Sequence, residues 1–158
     1  MKMKKALSIA LTLYFILGLA LVVHENSWFS FSKNALSDMG SLRNPKGWMF
    51  NVFIIGLGLL GLVTSLMLKR KILTLSMAFL VLVGVFPEEK PLHTPSAILT
   101  YILAFTDMVI YGGIWRVVGI GTFMVMLFLI NLKVGLAIPE LIGAASILAY
   151  ILYLGERA

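Results

Sequence analysis

The sequence predicts an all-α integral membrane helical bundle of six transmembrane helices, with a short amphipathic helix in the first outer loop. Three observations predict it. Apolar residues make up 60% of the 158 and charged residues 13%, against ~45–50% and ~25% in an average soluble domain. Mean hydropathy is +1.00. Apolar runs near spanning length alternate with short polar clusters along the whole chain. A water-soluble fold of this size cannot hide so much apolar surface, so lipid must solvate part of it. There is room for a single membrane domain, residues 1–158, and none for a soluble domain beside it.

A span needs ~20 apolar residues, with a range of ~17–25. The first runs over about 6–23, behind the basic start "MKMKK". This pattern also suits a signal peptide. The run from Ala6 to Val23 is 18 residues long and leads into "HENSW" with no small-x-small cleavage site, so a retained span is expected. The second span, about 47–68, ends at Lys69, Arg70 and Lys71, and the third, 72–86, stops at "PEEKP". The fourth covers 95–115, with Thr94 as N-cap and Pro95 at the first helical position. Gly112, Gly113 and Arg116 mark a tight turn into the fifth, 117–132. The sixth, 138–154, carries Glu140 in its first turn, where the helix dipole favours a carboxylate. Between the first two spans, Trp28, Phe31, Ala35 or Leu36, and Met39 recur at helical spacing, with Ser32 as a cap and Gly40 as a stop. That segment is expected to lie on the outer leaflet.

Charge sets orientation. With the N-terminus inside, eight Lys and Arg face the cytoplasm and five face out, which places both termini in the cytoplasm. A prokaryotic plasma membrane is the expected location. The net charge of +6 is therefore a topology signal. The basic residues form no stripe with interleaved polar groups, so no nucleic-acid partner is expected. There is no Cys, which excludes disulfides, thiol nucleophiles and thiolate metal sites. Gln is also absent, and a shortage of thermolabile residues fits a thermophile source.

Ionisable groups at or inside a membrane are costly and raise functional questions. The alternation of spans brings His24, Glu25, Asn26, Ser37, Asp38, Asn51, Glu88, Glu89 and His93 to the outer face. Of these, Asp38, Glu88, Glu89 and His93 are candidate ligands for a divalent metal, the one cofactor expected to be possible. Ser37, Asp38, Asn51, Glu88 and His93 are the candidate catalytic groups, with carboxylate and imidazole as acid and base. The competing reading is that the acidic residues are simply solvated and His93 is a loop histidine. The sequence has no HExxH, no His pair at helical spacing and no GxSxG. Asp107 stands apart, ~18 Å into the fourth span at 1.5 Å per residue. It is either a proton or ion relay or a structural carboxylate bonded to a Tyr or Thr of a neighbouring helix. The glycines of the second span, Gly56, Gly58 and Gly61, permit close helix approach.

Two blocks carry a family resemblance. "NALSDMGSLRNPKGWMFN" (Asn34 to Asn51) places Leu36, Ser37 and Gly40 in an L-S-x-x-G turn before Trp48, Phe50 and Asn51. "GVFPEEKPLHTPSA" (Gly84 to Ala97) holds Phe86, Pro87 and Glu88, then His93 and Ala97. Together, one helical hairpin apart, they resemble the domain of unknown function 998 family of small prokaryotic multi-span proteins. The resemblance implies a six-span bundle and selects Ser37, Asp38, Asn51, Glu88 and His93. It supplies no activity.

Three functions compete. One is a membrane-embedded hydrolase of lipid-like substrates. The second is a non-catalytic subunit binding membrane lipids, a protein partner or a second copy of itself. The third, an ion or small-solute transporter centred on Asp107, is disfavoured by the absence of internal repeats. Convergence of the outer polar residues discriminates the first two.

Overall fold

The computed structural model describes residues 2–158. Six α-helices form: α1 (Lys2–Glu25), α2 (Gly47–Met67), α3 (Lys71–Val85), α4 (His93–Tyr111), α5 (Ile114–Asn131) and α6 (Ala137–Arg157). No strand occurs among the described residues. Five helices are long and apolar enough to cross a membrane, and α3, at 15 residues, is the shorter apolar one. At 1.5 Å per residue it reaches ~22 Å, less than the ~30 Å hydrocarbon core.

Each helix packs on its sequence neighbours, and α6 returns to α1. The six therefore close a ring, with α4 also touching α6 across it. The side chains explain the division of faces. Leu11, Phe50, Leu57, Met77 and Ile151 are buried inside, whereas Leu17, Val63, Val117 and Phe128 are exposed. An apolar surface of that kind calls for lipid as its solvent. The α2–α3 pair is drawn closest by glycine. A Cβ on Gly58 would lie 2.7 Å from the Val81 backbone nitrogen, and one on Gly84 the same distance from the Asn51 carbonyl oxygen. Larger residues there would force the two helices apart.

Antiparallel alternation puts both termini on one face, where Lys5 Nζ meets Glu156 at 2.8 Å. Asp107 lies towards this terminal face and is 2% exposed. Tyr150 donates to its carboxylate at 2.9 Å, so the expected Tyr partner is present. Arg70 adds a second bond at 2.9 Å and donates to the Asp107 carbonyl at 3.1 Å. The Arg70 guanidinium also sits 5.2 Å from the centre of the Tyr111 ring. Arg70 is thus more than a topology signal, because it neutralises a buried carboxylate.

Several expected boundaries move. Arg116 lies in the first turn of α5 rather than in the turn before it. The reversal is made by Gly112 and Gly113 at φ +87° and +57°. Thr94 does not cap α4, which starts at His93 with Leu92 as N-cap and no side-chain cap bond. The turn over Lys90–Leu92 already leads the chain into helical geometry, and Pro95 still falls in the first turn, where its missing N–H costs nothing. The first outer loop also departs from expectation. Its helix is a 3-10 turn over Leu36–Gly40, not a longer helix capped by Ser32. Leu36, Met39 and Gly40 are buried, so its apolar side faces the bundle and not the leaflet.

The Arg70–Asp107 pair gives a stability test. Losing one partner of a buried pair costs about 3 kcal/mol, whereas replacing both with apolar residues is near neutral. Arg70→Leu alone should lower stability by about that amount, and R70L combined with Asp107→Leu should recover only part of it, because the buried Tyr150 hydroxyl then loses its acceptor. Denaturation of the detergent-solubilised protein measures both.

Candidate functional site

The face opposite the termini is built by one loop. Residues 26–46 run across the open end of the ring, and their backbone polar groups find partners on four other elements. Glu140, in the first turn of α6, accepts the Leu36 N–H at 2.7 Å. Glu89, between α3 and α4, accepts the Ser41 hydroxyl and the Leu42 N–H at 3.0 Å. Asn51 of α2 donates to the Gly40 carbonyl at 3.0 Å. A Cβ on Gly40 would overlap the Asn51 and Phe50 side chains, so glycine is required for that approach. The α5–α6 connection joins through Gly135 N–H to Ser32 O and Ala137 N–H to Asn34 O, both 2.9 Å.

These bonds redistribute the sequence candidates. His24 is exposed. Glu25 is paired with Lys46 at 2.7 Å. Asn26 is buried, donating to Val22 O and accepting from Asn44 at 2.7 Å. Glu25 and Asn26 hold the loop's beginning, and all three stand outside any shared site. Asp38 accepts from its own Ala35 N–H at 3.0 Å and from Asn34 at 3.1 Å, the bonds of a local cap. Glu88 faces Asp38 from the α3–α4 turn. Burial, the Asp38 carboxylate and neighbouring Glu89 push its carboxyl up to about 7, against an opposing pull from Arg43. Glu89 goes the other way: the Ser41 hydroxyl, then the Leu42 N–H, hold it well below the usual carboxylate range.

His93 is turned inward and is 5% exposed. Its Nδ1 lies 2.7 Å from the Phe86 carbonyl oxygen and 3.2 Å from that of Val83. Carbonyls only accept, so Nδ1 carries a proton, and in the neutral ring Nε2 presents a lone pair. Among the described residues, no three His, Cys, Asp or Glu gather to hold a metal ion. The expected donor set of Asp38, Glu88, Glu89 and His93 is parted. Glu89 points to loop backbone, Asp38 and Glu88 form a pair, and His93 looks into the bundle.

Inside the ring, below the loop, is a narrow cavity of about 100 Å³. Its walls are the buried side chains of α1, α2, α3, α4 and α6, among them Leu11, Ile54, Met77 and Ile147. A second cavity, of about 410 Å³, lies between α4, α5 and α6. Ile98, Ile102, Leu127 and Ile130 line it and are themselves exposed, so it opens sideways towards lipid. Both cavities share five residues: Ser37, His93, Ala97, Tyr101 and Glu140. The common wall therefore combines two of the sequence candidates, Ser37 and His93, with two polar residues outside the candidate list. In sequence Glu140 reads only as a partner of the helix dipole. Tyr101, whose hydroxyl donates to the Glu140 carbonyl at 2.9 Å, was not singled out. Its signal was present: His93, Ala97 and Tyr101 recur at intervals of four, one stripe of a helix.

The Glu88–Asp38 pair sets a pH test. An acid raised from 4.5 towards 7 favours the protonated folded form, so the Glu88 contribution to loop stability is full below pH 4.5 and declines as pH rises to about 7, whereas the Glu89 contribution is lost only as pH falls below 4.5. Amide hydrogen exchange of residues 36–42 should therefore quicken between pH 5 and 7.5, after correction for intrinsic exchange. Glu88→Gln should remove that dependence.

No curated protein and no solved structure matches the chain. One family model does, over residues 8–156, nearly the whole chain and both sequence blocks. The chain belongs to that family, the proteins of unknown function DUF998.

Proposed function

We propose that this protein is a six-span lipid-binding membrane protein that takes the apolar chain of an amphiphile into the ring through the opening beside α4 and α5. The single observation that carries this reading is the meeting of the two apolar cavities at one polar wall. An amphiphile needs that combination, an apolar slot with a few convergent polar groups at one point. The slot's depth supports it. From Glu140 to Ile151, both on its lining, α6 rises ~16 Å. A sixth span by short α3 is supported by its flanks, because Lys69 and Lys71 at one end and Lys90 beyond the other can snorkel. The charge count supports cytoplasmic termini in a prokaryotic plasma membrane, which puts the polar wall near the outer leaflet.

A hydrolytic reading has one observation in its favour. His93 is oriented by its Nδ1 bond to Phe86 O, which leaves Nε2 of the neutral ring as a proton acceptor on a wall that also carries the Ser37 hydroxyl. Ester turnover abolished by both Ser37→Ala and His93→Asn, in protein that still folds, would establish it. Turnover equal to that of empty micelles would dismiss it.

Filling the slot tests the binding reading. Ala97 and Ala144 line it, and a phenylalanine there would occupy the space at a strain cost of about 1–3 kcal/mol. Native mass spectrometry of protein extracted in mild detergent should find an amphiphile on the wild type and little on Ala97→Phe or Ala144→Phe. Equal occupancy in all three folded proteins would refute the reading.

A further inference from the structure

The polar wall also carries information about the head of the bound molecule. Neither cavity has a Lys or Arg on its lining. Glu140 is the one acidic residue there, and it serves both cavities. Its Oε2 is occupied by the Leu36 N–H, while Oε1 has no partner among the described residues. In its neutral ring His93 offers the Nε2 lone pair, because the Nδ1 proton is committed to Phe86 O. The Tyr101 hydroxyl has donated its proton to the Glu140 carbonyl. The shared wall therefore presents mostly acceptors; its one uncommitted donor is the Ser37 hydroxyl, with the Thr94 hydroxyl beside it on the second cavity alone, neither bonded among the described residues. A phosphate or carboxylate needs charge-assisted donors, typically Arg, Lys or several N–H groups. Entering here, it would face a carboxylate with no cation to offset it. At such short range in a low-dielectric setting, like charges repel strongly.

Resting on the binding reading above, we infer that the site selects an amphiphile whose head donates hydrogen bonds and carries no negative charge, a long-chain alcohol or amine, and rejects the anionic heads of fatty acids and phospholipids. The head's O–H or N–H would lie between Glu140 Oε1 and His93 Nε2, with the chain in the slot. Hydroxyl and amine share this chemistry. They differ in their dependence on the Glu140 charge.

Four probes of one chain length test it: hexadecanol, hexadecylamine, palmitate and hexadecyl phosphate. Each is titrated at pH 8 into the full chain in uncharged nanodiscs and read by native mass spectrometry. The alcohol or the amine should bind at least about tenfold tighter than either anion, the order of effect expected from one unoffset charge. Glu140→Gln keeps an oxygen for the Leu36 N–H and removes the charge. It should narrow the gap between the preferred probe and the anions by about tenfold. An amine that weakens while the alcohol holds identifies a cationic head, and an alcohol preference retained in the variant identifies a neutral one. Palmitate or hexadecyl phosphate binding as tightly as the alcohol and amine would overturn the inference while leaving a lipid site intact. Failure of all four to bind, or binding unaltered by Ala144→Phe, would overturn the binding reading and the inference with it.

Discussion

The structure depends on satisfying the backbone of one irregular loop at the edge of a low-dielectric bundle. Unpaired N–H and C=O groups are tolerated at membrane depth only where protein or water supplies partners. Residues 26–46 cover one end of the ring, and their partners come from the side chains of Glu89, Glu140, Asn44 and Asn51. These bonds link the loop to α2, to the α3–α4 turn and to α6. The acidic residues that look like a candidate reaction centre in sequence are in large part fasteners. A carboxylate accepting a backbone N–H makes a stronger bond than a neutral acceptor does. That explains the use of Glu89 and Glu140 at these two points.

The fastening also shapes the site. Glu140 gives one oxygen to the loop and keeps the other at the wall shared by the cavities. His93 gives Nδ1 to the α3–α4 turn and keeps Nε2. In each case a structural bond orients the group and leaves one atom for a ligand. The same economy holds at the terminal face, where Arg70 and Tyr150 together neutralise and hold Asp107. Both oxygen-to-donor bonds there converge on a single carboxylate oxygen, which ties α4 to α6 and to the start of α3. That arrangement is a brace between helices and gives the relay reading no support.

Much of the architecture was legible in the sequence because lipid imposes a simple rule. Every span must be helical and apolar, so hydropathy alone reveals the helices, and alternation alone assigns each loop to a face. The requirement that Asp107 find a hydroxyl partner followed from the cost of a buried charge, and Tyr150 meets it. The pairing with Arg70 was hidden, because a basic residue at a span's end also serves as an orientation signal. Thr94 has the chemistry of a cap, and only the preceding turn, which starts the helix two residues earlier than Pro95, makes that cap unnecessary.

By itself the sequence determined the class of solvent, the number of helices and the face on which polar residues gather. Those follow from composition and period, which are local properties. Only the tertiary structure decided which polar residues share a site. Closure of α6 onto α1 brings Glu140 back to the loop that begins a hundred residues earlier. Burial of Leu36 and Met39 turns the Leu36–Gly40 segment inward, whereas Trp28 and Phe31 of the same loop stay exposed. Both are long-range events, set by which surfaces fit together, and no residue spacing within one helix encodes them.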